Sequence, residues 1–308
     1  MERKINRVTN KMKLNKTAWA LIAFIVFVIF SNLTSEEPKQ NSSEEPKQNS
    51  SENKINNKEK NYAYEWSLTT KGTVKCKHVG KGNEAANGGE KYVFNNVEYI
   101  FIPNGDKEAL ITNAANACTT DWTSMEGEPD DGFIASIDKD FNSPIGHWDV
   151  SNVTNMNWLF KKANSFNQDI STWDVSNVEA MDGMFNHAVE FNQDISGWDV
   201  QNVYVMDLMF AYTKKFNQNI GGWKTENTKY MEGMFLNALA FNQDISGWDT
   251  SNVVTMYSMF EKTSSFNQDL SNWNVSKVEH ARCFSYESKF ANNPQKHPKF
   301  KVDSSCAY

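Results

Sequence analysis

The chain has 308 residues, with 31 Lys+Arg against 38 Asp+Glu for a formal charge of −7, and 39% of it is apolar. That length allows one or two domains. The mild acidity argues against a nucleic-acid binder, and an aromatic share of 13% is too high for a wholly disordered chain.

Residues 1–30 read as a signal peptide or membrane anchor. Arg3, Lys4, Arg7, Lys11, Lys13 and Lys16, against Glu2, precede an apolar run from Ala18 to Phe30. The run fits a signal-peptide core and falls short of the roughly 20 residues that span a bilayer comfortably. No Ala-x-Ala site comes after it, Leu33-Thr34-Ser35 is a passable cleavage site, and no Cys is near enough for lipid attachment. Both readings export the rest of the chain, because the positive flank stays inside. The expected location is the cell surface or the outside medium, with an N-terminal membrane anchor if the leader is not cleaved. Residues 31–61 are expected to be a disordered low-complexity linker. The octamer Ser35–Ser42 recurs as Ser43–Ser50 and holds almost no apolar side chain to offset the entropy of ordering.

Residues 62–137 read as a small α+β N-terminal cap with a degenerate first repeat. Lys91-Tyr-Val-Phe and Val97-Glu-Tyr-Ile-Phe flank Asn95-Asn96, a two-residue hairpin turn. Asp106 is placed to cap a helix from Lys107 to about Ala117. Asp121-Trp-Thr-Ser-Met125 looks like a degraded unit, followed by an insertion around the acidic Glu126–Asp131 stretch. From Cys118 onward the chain has 14 Lys+Arg and 25 Asp+Glu, so the acidity belongs to the C-terminal part.

Residues 138–290 form a repeat array. Phe recurs at 141, 166, 191, 216, 241 and 266, and Trp at 148, 173, 198, 223, 248 and 273. A fixed period in the twenties predicts a solenoid with one unit per coil. Asp169–Val175 alternates polar and apolar and predicts a short strand. Ser176-Asn177 offers an N-cap, and Val178, Met181, Met184, Phe185 and Ala188 come next at helical spacing. The expected fold is therefore an α/β repeat solenoid, a leucine-rich-repeat-like right-handed stack of short parallel strands and short helices. Strands pack more closely than helices, which predicts a curved array with strands on the concave side. Residues 291–308 read as a C-terminal cap. In the last unit Ala281 and Phe284 stand where Met is expected, and terminal repeats must face water.

These units resemble those of the BspA-like leucine-rich-repeat surface proteins of bacteria. The residues that carry the resemblance are Phe166-Asn-Gln-Asp-Ile-Ser171, Trp173-Asp-Val-Ser-Asn-Val178 and Met181-x-x-Met184-Phe185, repeated over about half the chain. The resemblance implies a cell-surface, adhesive role and no catalytic residues. The fourth unit departs from the pattern, with Lys224-Thr225-Glu226 for Asp-Val-Ser and Asn219 for the recurring Asp.

Cysteine usage fits export. Cys76, Cys118, Cys283 and Cys306 allow three pairings. Pairing nearest in sequence, Cys76–Cys118 and Cys283–Cys306, clamps each end of the array. No CxxC occurs, so no zinc site is expected. Two Asp columns (169, 194, 244, 269 and 149, 174, 199, 249) could supply calcium ligands. The competing reading is that each Asp accepts backbone N–H bonds in a turn. The Asn-Gln pairs read as an amide ladder between coils, the Trp column as core rather than a sugar platform, and the Met residues as core.

No Walker loop, dinucleotide fingerprint, HExxH or GxSxG occurs, so no enzyme activity and no cofactor are expected. The residues after each Trp, Asp149, Asp174, Asp199, Lys224 and Asp249, are predicted to line an exposed ligand-binding face. The expected function is a surface-displayed, non-enzymatic recognition or adhesion solenoid for an extracellular protein or glycan. The alternatives are a passive, self-associating envelope protein and a calcium-stabilised carbohydrate-binding module.

Overall fold

The computed structural model describes residues 64–68, 73–78, 91–94 and 97–306. The leader (1–30) and linker (31–61) read from the sequence lie outside these residues. Among the described residues no helix is long and apolar enough to cross a membrane.

The lead-in region holds the regular secondary structure. Strands β1 (Tyr64–Leu68) and β2 (Val74–His78) pair antiparallel. Strands β3 (Lys91–Phe94) and β4 (Val97–Phe101) pair antiparallel, with Phe94 opposite Val97, while Asn95-Asn96, read as the turn, lies outside the described residues. Helix α1 (Lys107–Thr112) starts at Asp106, whose side chain accepts a hydrogen bond from Ala109 N. It is shorter than expected, because Asn113 ends it and a 3-10 turn takes Ala114–Asn116. Strand β5 (Ala117–Cys118) then runs parallel to β4. This region is bonded to the start of the repeats: Val74 N donates to His147 O at 3.0 Å, and Trp122 Nε1 to Ile102 O at 3.0 Å.

The repeat units are built differently from the strand-and-helix unit expected. Neither the strand at Asp169–Val175 nor the helix over Val178–Ala188 forms. Each unit is instead a chain of turns closed by backbone bonds from residue i+3 to residue i. Examples are Trp173 N to Ile170 O, Val178 N to Val175 O, Met184 N to Met181 O and Ala188 N to Phe185 O, all at 2.9–3.2 Å. Apolar residues sit at the turn corners. A run of such turns therefore places apolar side chains every third residue, the spacing a helix also gives.

Other N–H groups bond to a neighbouring unit rather than along a helix. Met156, Trp158, Phe160 and Lys162 donate to Ala180, Asp182, Met184 and Asn186, at 2.8–3.0 Å. The same pattern joins 181–187 to 205–211 and later units. Single-residue parallel bridges link Ser124, Asn155, Ala180, Val205, Tyr230, Thr255 and His280 in series. The inter-unit ladder thus runs through the segment expected to be helical. Two positions per unit take a left-handed backbone, Gly183 (φ 54°) and His187 (φ 60°) in one unit and Leu208 and Tyr212 in the next. These are third residues of their turns, where positive φ is the type II requirement.

Aromatic columns fill the interior. Successive rings of Phe141, Phe166, Phe191, Phe216, Phe241 and Phe266 stack at 5.8–6.1 Å. A second column, Phe160 to Phe260, stacks at 5.4–5.7 Å. The rings of Trp173, Trp198, Trp223, Trp248 and Trp273 are buried, and each Nε1–H donates to a carbonyl of the preceding unit, as Trp198 does to Ile170 O at 3.1 Å. That oxygen also accepts Trp173 N, so the indole supplies its second donor. The columns end on edge-on rings: Phe290 meets Phe266 at 86° and Phe284 meets Phe260 at 85°. Cys283 and Cys306 form a disulfide beyond this point. Cys118 is also disulfide-bonded, and the side chain of Cys76 lies outside the described residues.

Candidate functional site

Exposed residues of the units fall into columns, and the recurring Asp residues are committed to turns. Oδ1 of Asp169, Asp174, Asp194, Asp199, Asp244, Asp249 and Asp269 accepts from the N–H two residues on, at 2.9–3.2 Å. Asn219 and Asn274 do the same in their units, so an amide oxygen serves as well as a carboxylate. These bonds hold the carboxyls of Asp194, Asp244 and Asp269 below their usual range, through the N–H and then the hydroxyl of the Ser two residues on. Among the described residues no group of three or more His, Cys, Asp and Glu is arranged to hold a metal ion.

Of the predicted binding face, Asp174, Asp199, Lys224 and Asp249 are exposed. Asp149 is not: it is only 2% exposed. The lead-in strand β2 covers it, bringing Lys75 Nζ to 4.0 Å from Oδ2, while Oδ1 accepts from Ser151 N and Oγ. The face therefore begins one unit later than expected.

The amide ladder lies on another edge. Asn142, Asn167, Asn192, Asn217 and Asn242 each accept, through Oδ1, the backbone N–H of the next Asn in the column at 2.9 Å. Gln193, Gln218, Gln243 and Gln268 reinforce it by donating to the preceding Asn carbonyls.

A second Asn column lies next to the Asp face. The Asn of Ser-Asn-Val, read from the sequence as part of a helix cap, ties units together instead. Nδ2 of Asn152, Asn177, Asn202, Asn227 and Asn252 donates to a carbonyl of the preceding unit at 2.7–2.9 Å. Two residues further on, Thr154, Glu179 and Tyr204 hang from the backbone ladder, with Glu179 N bonded to Thr154 O and Tyr204 N to Glu179 O. Asn152, Asn177 and Asn202 with Thr154, Glu179 and Tyr204 line an open polar groove across three units.

A carboxylate column lies beyond the bridge, its Asp residues half-buried and its Glu exposed. Asp182, Asp207 and Glu232 occupy one position in successive units, which Asn157 fills in the unit before. Burial, with Asp207 adding repulsion, pushes the Asp182 carboxyl up to about 7. Burial likewise raises Asp207 to about 6, although its Oδ1 accepts the N–H of Glu232. Nearby, the His187 ring stacks on Tyr212 at 4.2 Å, and burial lowers its pKa. The sequence reading passed over both the groove and this column. The signal was available, because residues sharing a phase of the repeat become neighbours.

A model of the family described as "Mycoplasma protein of unknown function, DUF285" matches residues 133–214 and 192–300, which together span more than half the chain. The chain belongs to this family. The DUF285 region takes in the recurring Trp column, both Phe columns, the groove and the carboxylate column. No curated protein and no solved structure matches the chain.

Proposed function

We propose that this DUF285 chain is a surface-displayed, non-enzymatic recognition or adhesion protein. In this reading the units form a solenoid of the kind that the resemblance to BspA-like surface proteins implies, with coils made of turns. The partner is an extracellular protein or glycan, and the N-terminal segment delivers the array to the cell surface. One observation carries the reading. What repeats between units is spent on packing and inter-unit bonding, and what varies is exposed. Phe and Trp are buried in every unit, and Ile and Met in every unit but the last, where Leu270, Ala281 and Phe284 take their places. The position after each Trp changes from Asp199 to Lys224 to Asp249, and the groove-lining position from Glu179 to Tyr204 to Lys229, all of them exposed. A stack that varies only its surface offers an extended binding strip without a deep pocket.

Cells displaying the full chain test this on immobilised proteins and glycans. Asp174→Lys with Asp199→Lys should change adhesion by at least about tenfold in Kd, since like charge opposite a complementary patch costs more than 1 kcal/mol. Unchanged adhesion would remove the acidic face from the binding surface.

A further inference from the structure

The groove lined by Asn152, Asn177, Asn202, Thr154, Glu179 and Tyr204 carries an inference about the chemistry of the partner. Its lining recurs with the unit. Each Asn is fixed in the same way, with Nδ2 donating to Thr120 O, Ser151 O or Ser176 O at 2.7–2.8 Å. That commitment uses one of the amide's two N–H donors and leaves its oxygen and second N–H to meet a ligand. The column shows the oxygen in use one face further along: Lys277 Nζ donates to Asn252 Oδ1 at 2.6 Å. Glu179 adds a carboxylate acceptor and Thr154 a hydroxyl. Tyr204, 42% exposed, adds an aromatic ring at the third unit.

These groups select against several partners. An added β-strand needs unpaired backbone, but Glu179 N and Tyr204 N already bond to the preceding units. A docked amphipathic helix needs an apolar groove, and this lining is amide, hydroxyl and carboxylate. A phosphate- or sulfate-bearing polymer would meet Glu179 with Asp174 and Asp199 exposed on the adjoining column. An uncharged chain rich in hydroxyl donors, with flat faces to lie on an aromatic ring, satisfies all of them.

We propose that this groove binds a neutral, hydroxyl-rich glycan chain laid along the units, with a sugar ring on Tyr204 and its hydroxyls donating to Asn152, Asn177, Asn202 and Glu179. The inference rests on the recognition reading above and narrows its partner. The inter-unit ladder holds the lining residues in place, so the groove is formed before the ligand arrives.

Calorimetric titration of the full chain with cellohexaose, chitohexaose and maltohexaose tests it, with a heparin-derived hexasaccharide as the anionic counterpart. Saturable binding of at least one neutral hexasaccharide is expected, and none of the anionic one. Tyr204→Ala should weaken binding by at least about tenfold, the loss of one stacked contact. Glu179→Ala, a second exposed position, should also weaken it, while Lys301→Ala, exposed beyond the last unit, should leave it unchanged. Binding of the anionic sugar alone, unaltered affinity in both groove variants, or no neutral binding up to about 10 mM would overturn the proposal. If charge reversal at Asp174 and Asp199 abolishes adhesion while no neutral hexasaccharide binds, the glycan assignment falls and the recognition reading stands. If hexasaccharides bind through Tyr204 whatever the charge reversal does, the glycan assignment stands by itself.

Discussion

Replacing Asp182 by Asn should stabilise the protein at pH 8, and the gain should shrink as the pH falls towards 4. Asp182 sits half-buried, with Asp207 in the next unit and one carboxylate oxygen buried without a hydrogen-bond partner. Burial, and then Asp207, raises its carboxyl from the ordinary 3.8 to about 7. A carboxyl whose folded pKa lies above its unfolded one binds an extra proton on folding. Stability therefore falls as pH rises from about 4 to about 7, and stays low above that. Undiscounted, the shift corresponds to about 4 kcal/mol. The side chain is partly exposed, and solvent screening reduces this to about 1–2 kcal/mol. At about 2–4 °C per kcal/mol for a domain of this size, Asp182→Asn should melt about 2–8 °C above wild type at pH 8. The amide should fit, because Asn157 already holds this position one unit earlier, its Oδ1 accepting Asp182 N at 2.7 Å. Scanning calorimetry of both proteins at pH 5, 6.5 and 8 reads the difference. His147 and His187, whose pKa values burial lowers, lose stability as pH falls below their ordinary range; present in both proteins, they cancel in the comparison. The turn carboxyls held low, such as Asp194, lose theirs only at more acidic pH. A variant that melts at or below wild type at pH 8 would refute the account of the column as charge stored at a cost.

Gly183→Ala should destabilise strongly, because Gly183 has φ +54° and a Cβ there would lie 1.8 Å from the Trp158 ring. Gly247→Ala, whose Cβ meets nothing closer than Gly221 O at 3.8 Å, should stay within about 0.5 kcal/mol; urea midpoints of the two variants check the contrast. Trp198→Phe should cost about 0.5–1.5 kcal/mol in denaturant unfolding, because the carbonyl of Ile170 loses the indole donor at 3.1 Å and keeps Trp173 N. Cys283→Ser with Cys306→Ser, opening a bridge of sequence separation 23, should lower the melting temperature by the equivalent of about 2–4 kcal/mol.

The interior was legible because burial tracks repeat phase whatever the backbone does. Phe166, Trp173, Met181 and Phe185 are buried, as a shared aromatic core requires. The Asn142 to Asn242 ladder was also legible, since amides in one phase meet when units stack. The antiparallel pairing of β3 with β4 and the cap at Asp106 followed from local sequence signals. Asp149 was misplaced because nothing local to it reveals that β2 lies over it with Lys75. The groove was missed because Asn177 had been assigned to a helix cap, although its amide reaches back to Ser151.

The amino-acid sequence alone determined the period and the identity of the buried rings, since each depends on residue type and phase, whereas the turn bonds of the recurring Asp came from the structure. Whether Val178, Met181, Met184 and Ala188 wind a helix or corner a series of turns was decided only in three dimensions. Both conformations put apolar side chains three residues apart. They differ in where the backbone N–H groups go, and here Phe160 N finds Met184 O in the adjacent unit rather than a carbonyl four residues back in its own. That acceptor exists only once the neighbouring unit is in place.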